Sequence, residues 1–142
     1  MSSKPDAGLR KLLRDNLKPH GLWMQAIETG STSAGLPDSH VLGPTGTLWV
    51  ECKRTDEYAV KFEPHQIMWY RKHSPWVRTF IAVRTMGKGS SGGTGDGLAL
   101  YVGEAVDALD RGGTEAAPTV LRFRGKPRDW DWAALARALI GG

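Results

Sequence analysis

The chain has 142 residues, of which 40% are hydrophobic and 24% charged, the size and composition of one globular domain, which excludes wholesale disorder and leaves little room for a second full domain. No run nears the ~18 apolar residues of a membrane span, no apolar signal core follows the N-terminus, and Cys52 alone rules out a disulfide framework or a cysteine zinc cage, so a cytoplasmic protein without a membrane partner is expected. Nineteen Lys and Arg against fifteen Asp and Glu give a net charge of +4, a mild tilt toward an anionic partner.

Leu9, Leu12, Leu13 and Leu17 recur at helical spacing and predict a helix over 6–18, which Pro19 stops. Three short β-forming runs follow, at 22–30, 35–46 and 47–55, bounded by Gly, Pro, Ser or Thr. Gly43-Pro44-Thr45-Gly46 is turn chemistry and pairs the second run with the third as a hairpin. Glu63-Pro64 opens a second helix that ends before Pro75. The apolar run 79–85 is a strand, and after a glycine-rich loop at 87–97 the run 98–106 is another strand feeding a helix or turn. The closing segment 129–142 has an acidic start, Leu135 and Leu139 four apart, and a final Gly pair, which predicts a terminal helix. The order αβββαββ predicts an α/β (α+β) domain over 1–142, with a core at 6–105, a C-terminal helix at 129–140 and a mixed central sheet flanked by helices.

The chemistry concentrates at Gly35-Leu36-Pro37-Asp38 and, thirteen residues beyond Asp38, at Glu51-Cys52-Lys53. Alternation along a strand turns Glu51 and Lys53 to one face and Cys52 to the other. The hairpin then sets Asp38, near the start of one strand, across from the end of the next. Two carboxylates and an ammonium converge, a donor set suited to Mg²⁺ or Mn²⁺. A lysine beside such an ion can orient the water that attacks a phosphodiester and offset charge growing on the phosphate. The structural alternative is a turn-capping Asp38 with Glu51 and Lys53 on a solvated strand face. Polar residues ending an otherwise apolar strand, with G-x-P-D upstream, favour the chemical reading.

At Pro37-Asp38 and Glu51-Cys52-Lys53 the sequence resembles the PD-(D/E)XK nuclease superfamily, and most closely the VRR-Nuc domains, many of them small phage or bacterial proteins, and the archaeal-type Holliday-junction resolvases. The resemblance covers 6–85 and implies a restriction-endonuclease-like αβββαβ core. In VRR-Nuc proteins G-x-P-D and E-x-K are followed by a glutamine on the next helix, where this chain has Gln66, and Val83-Arg84-Thr85 resembles the segment that names them. The resemblance implies that Asp38 and Glu51 are metal ligands, that the Cys52 backbone carbonyl is a third, that Lys53 is catalytic and that Gln66 supports the site. The family also uses a glutamate from the first helix or the strand after it. Glu28 is the candidate here, though no motif fixes it by spacing and a surface carboxylate is the alternative. Ser31, Thr32 and Ser33 resemble a serine-bearing loop of the resolvases that would contact phosphate; the alternative is a simple turn.

Among the remaining features, the glycine-rich loop lacks a Walker glycine, position 82 being Ala, so no nucleotide cofactor is expected. His20, His40, His65 and His73 form no zinc pattern, although His40 lies two residues past Asp38, where it would support the site. Arg54, Lys61, Arg71, Lys72 and Arg84, with Lys88 on the glycine-rich loop, are the candidate phosphate contacts, with aromatic residues interleaved. Trp49 and Trp69 are expected in the core, and Trp130 and Trp132 at a subunit interface. The reading is a Mg²⁺- or Mn²⁺-dependent DNA endonuclease selective for branched DNA, working as a homodimer because a symmetric junction is cut on two strands. The alternatives are a catalytically inactive nucleic-acid-binding module of the same fold, and a nuclease for single-stranded or linear DNA or for RNA.

Overall fold

The run Phe80-Ile81-Ala82-Val83 is apolar at every position, which a strand tolerates only when both its faces are covered. The computed structural model describes residues 6, 8–27, 35–87 and 95–141, and there this strand lies inside a six-stranded sheet. The elements in chain order are α1 (Leu9–Leu17), β1 (Trp23–Ala26), β2 (Ser39–Gly43), β3 (Gly46–Thr55), α2 (Pro64–His73), β4 (Thr79–Met86), β5 (Asp96–Val102), α3 (Val106–Gly112), β6 (Leu121–Arg124) and α4 (Trp132–Ile140). The strands lie in sequence order. Every neighbouring pair is antiparallel except β3 and β4, which α2 joins as a parallel crossover.

Alternation sorts the side chains into two cores. Leu48, Val50 and Cys52 of β3, Phe80 and Ala82 of β4, and Leu98 and Leu100 of β5 face α1 and α4, where Leu9, Leu13, Leu17, Leu135 and Leu139 cover them. Ile81 and Val83, with Ala99 and Tyr101, face α2 and α3 and pack on Tyr70, Val106 and Leu109. The result is a three-layer sandwich, and the α/β class with helices on both faces of a mixed sheet is the one predicted. Among the described residues no helix is long and apolar enough to cross a membrane.

The differences from the sequence reading lie late in the chain. A sixth strand, β6, was not predicted; it is four residues long and alternates half-buried Leu121 and Phe123 with exposed Arg122 and Arg124 at the sheet edge. Trp130, expected at a subunit interface, is 3% exposed and belongs to the chain's own core. Its indole N–H donates to the Gly125 carbonyl at 2.8 Å, and Trp132 packs against it at 5.5 Å. The polar handle is satisfied internally, so neither ring needs a second subunit. Trp49 and Trp69 are only half-buried and join an aromatic row, with His40 4.5 Å from Trp49, Trp49 5.8 Å from Trp69 and His73 stacked 4.3 Å from Trp69.

Candidate active site

The Gly43–Gly46 hairpin sets the register that builds the site. Ser39 stands opposite Val50, so the residue before it, Asp38, reaches the level of Glu51. The Asp38 N–H donates to Glu51 Oε1 at 3.0 Å, and the Cys52 N–H donates to Asp38 Oδ2 at 3.0 Å. The Ser39 hydroxyl donates to Asp38 Oδ1 at 2.7 Å. Each carboxylate oxygen accepts two hydrogen bonds with ease, so these contacts orient Asp38 and still leave it able to bind a cation.

Gly35 explains the start of the G-x-P-D sequence. Its φ is +92°, and a Cβ there would stand 2.5 Å from the His65 carbonyl oxygen in the first turn of α2. Only glycine takes that backbone conformation while letting the segment lie against the helix. The same approach ties the Asp38 segment to the helix that carries Gln66.

On the α2 side of β3, Glu51 and Lys53 share one face, as alternation requires. Gln66 Nε2 donates to Glu51 Oε2 at 3.1 Å, and Gln66 Oε1 accepts from Lys53 Nζ at 3.0 Å. The anion and the cation together dictate which end of the amide points where, since only the NH₂ can face a carboxylate and only the oxygen an ammonium. Glu63, the residue before α2, locks the amide further: its N–H donates to Gln66 Oε1 at 2.9 Å within a reciprocal capping box. Lys53 Nζ is also 3.6 Å from Glu51 Oε2 and 4.8 Å from the centroid of the Phe62 ring. Tyr70, one turn beyond Gln66, is fully buried and donates to the Phe80 carbonyl at 2.9 Å, which fastens α2 to β4.

The electrostatics follow from burial. Glu51 is pushed up to about 7, first by desolvation and then by the neighbouring Asp38 carboxylate, against which Lys53 acts only in part. Desolvation raises Asp38 too, opposed by the Ser39 and Cys52 hydrogen bonds. Two carboxylates are thus held together with too little positive charge between them, a donor set that a divalent cation would complete. Burial drives the Cys52 thiol well above its ordinary value, so it stays neutral in the α1/α4 core and offers no thiolate.

Asp6, just before α1, was missed in the sequence reading. One oxygen atom of Asp6, one of Asp38 and the Cys52 sulfur lie within 4.8 Å of one another. Asp6 also ties down the turn before the helix, its two carboxylate oxygens accepting from the Gly8 N–H at 2.9 Å and the Arg10 N–H at 3.1 Å. A carboxylate at the start of the first helix was the available signal, since the resemblance allows an acid from that helix. Hard oxygen donors suit Mg²⁺ or Mn²⁺, and Asp6, Asp38 and Glu51 all line one open cavity of about 820 Å³.

Arg54 and Lys61 line that cavity as well. Arg71 does not: its guanidinium pairs with Asp107 of α3 on the outer side of α2, where Lys72 is also exposed. Arg84 pairs with Asp96 at 3.2 Å and lies 5.8 Å from the Trp130 ring. His40 packs its ring against Trp49, tilted by 34°. Glu28, Ser31, Thr32, Ser33 and Lys88 lie outside the described residues.

A solved structure similar to this chain is that of Archaeoglobus fulgidus Hjc, a Holliday junction resolvase from an archaeal hyperthermophile. The two superpose with a TM-score of 0.54 at 13% identity, over 90% of this chain and 96% of that one. This chain has the resolvase fold. The restriction-endonuclease-like class implied by the Asp38 and Glu51–Lys53 motifs is therefore borne out in three dimensions, although no family model and no curated protein matches the chain. At so low an identity the backbone path is what the two proteins share.

Proposed function

We propose that this protein is a divalent-metal-dependent DNA endonuclease acting on branched DNA. The observation that carries the reading is the convergence of Asp38, Glu51 and Lys53, bridged by Gln66, at one cavity of a resolvase-fold domain. Asp38 and Glu51 would hold Mg²⁺ or Mn²⁺, with Asp6 and the Cys52 carbonyl as further oxygen donors. When bound, such an ion would supply Lewis acidity for phosphodiester hydrolysis.

The chain's own residues do the rest. Lys53, confined by Gln66 and Phe62, orients the attacking water and offsets charge building on the phosphate. Gln66 keeps Lys53 from closing fully onto Glu51, so the carboxylate remains available to the cation. Lys61, and Arg54 beside its partner Asp56, line the same cavity and would meet the substrate's phosphates there. The core of this size reads DNA through shape and backbone contacts, which favours a branched substrate, and symmetric cutting of a four-way junction calls for a homodimer.

The deciding experiment is cleavage of matched four-way junction, flap, linear duplex and single-stranded DNA with Mg²⁺ or Mn²⁺, comparing the wild type with Asp38→Asn and Glu51→Gln. Junction or flap cutting that disappears in both variants supports the reading. Cleavage that persists in the variants overturns this site, and binding without cleavage under any metal leaves a nucleic-acid-binding module.

A further inference from the structure

The helix α1 carries a charge pattern that its packing does not use. Leu9, Leu13 and Leu17 are buried, while Arg10, Arg14 and Lys18, each one residue further on, are exposed. Their spacing of four places them in a single row along the helix and the turn that continues it, with Lys11 beside the row. Like charges at this spacing weaken a helix. Among the described residues the only ion pair in the row is the exposed contact of Arg14 Nε with Asp15 Oδ1 at 3.2 Å. Arg10, Lys11, Arg14 and Lys18 outnumber Asp6 and Asp15, the acids beside them, and this surplus of positive charge in one row is explained by an anionic partner.

The row has a direction. Arg10 lines the active-site cavity, and its charge offsets part of the desolvation that raises Asp38. Arg14 and Lys18 line a separate cavity of about 260 Å³ with Asp15 and Trp23. Lys18 Nζ stands 4.7 Å from the centroid of the Trp23 ring, and that residue is 54% exposed. Eight residues at ~1.5 Å each span about 12 Å, or three to four nucleotide steps of one DNA strand.

The opposite flank is different. On α2 and α3 the basic Arg71, Lys72 and Arg111 are balanced by Glu104, Asp107 and Asp110, and Arg71 is held by Asp107 through two hydrogen bonds of 3.1 Å. Of these two flanks, α1 is the one that presents a surplus of positive charge running away from the site.

We propose that the row Arg10–Arg14–Lys18 is the track along which the DNA backbone leaves the active site, so that the substrate lies against α1 and not against α2 and α3. This rests on the nuclease reading of the cavity. The test is binding of a labelled four-way junction by fluorescence anisotropy in Ca²⁺, titrated over a range of salt, together with cleavage in Mg²⁺. Removing two phosphate contacts in Arg14→Ala/Lys18→Ala should flatten the slope of log affinity against log salt by about 2 and weaken binding at least tenfold. The exchange Arg14→Lys/Lys18→Arg should keep the slope, Arg111→Ala on the far flank should leave binding unchanged, and Asp15→Asn should tighten binding. An Arg14→Ala/Lys18→Ala protein that binds with the wild-type slope overturns the track while wild-type cleavage leaves the nuclease reading standing. A wild type that neither binds nor cuts any DNA overturns both.

Discussion

Lys53 makes its closest polar contact with Gln66 rather than with Glu51: Nζ lies 3.0 Å from the amide oxygen and 3.6 Å from the carboxylate. The amide therefore sets where the ammonium stands, and the same amide holds Glu51 from its other end. Gln66→Leu should let Lys53 fall onto Glu51 and cost roughly tenfold to a hundredfold in kcat, with DNA affinity in Ca²⁺ unchanged. Single-turnover cleavage beside equilibrium binding checks this, and a parallel loss of both would contradict it.

Lys53→Ala should remove cleavage, by about a hundredfold to a thousandfold, yet retain metal and DNA binding. The Phe62 ring beneath the ammonium contributes through its electron-rich face. Phe62→Leu should slow cleavage by about twofold to thirtyfold, the range of a cation–π contact, whereas Phe62→Trp should preserve the rate. Equal rates for the two variants would show that the ring acts only by filling space.

Glu51 sets the pH dependence of stability. Its folded-state value of about 7 lies above the ordinary 4.5, so the folded protein holds the proton more tightly than the unfolded chain does. That contribution is fully present below the unfolded value and is lost as pH rises through 7, a loss on the order of 3 kcal/mol. Without divalent metal, Tm should fall between pH 4.5 and pH 7 more steeply for the wild type than for Glu51→Gln, because Glu51 is raised in that window. Mg²⁺ should restore the wild type at the upper end, and its affinity should weaken as pH drops below 7, since protons compete for Glu51. Identical pH profiles for wild type and Glu51→Gln would refute this.

Asp6 has two roles that one substitution separates. Asparagine keeps one of the two acceptor oxygens that hold the Gly8 and Arg10 N–H groups, so Asp6→Asn should cost about 1 kcal/mol of stability while weakening Mn²⁺ binding, measured by calorimetry, by a larger factor. A fall in Tm with metal affinity intact would leave Asp6 the structural role alone.

Gly35→Ala combines a positive φ with a Cβ aimed at the His65 carbonyl. We expect it to destabilise the protein by about 2 kcal/mol or more and to reduce cleavage even where the protein remains folded, because the Asp38 segment must move off α2. Wild-type Tm and rate in this variant would show that the contact positions nothing.

Local chemistry made much of the protein legible. The Gly43–Gly46 turn, the alternation around Glu51 and Lys53, the leucine spacing of α1 and the Pro64 start of α2 each act within a few residues, and period and turn type express such effects directly. The order of elements, the hairpin that brings Asp38 level with Glu51 and the α/β class all follow from them. The short edge strand β6 did not, because four alternating residues carry too weak a pattern until β5 is there to pair with. Trp130 misled for a similar reason: whether an indole faces a partner or its own core depends on where Gly125 and α4 bring it.

The sequence by itself therefore determined five of the six strands, the helices α1, α2 and α4 and the pairing of Asp38 with Glu51 and Lys53, since spacing places these on shared faces or neighbouring strands, while the resemblance supplied Gln66. Tertiary structure alone decided that Asp6 approaches Asp38, that Phe62 lies under Lys53, that Arg71 is spent on Asp107, and that the surplus positive charge of α1 runs from the active-site cavity toward Trp23. Each of these depends on how helices far apart in the chain dock on the two faces of one sheet. Burial and long-range packing set those distances, and no local period encodes them.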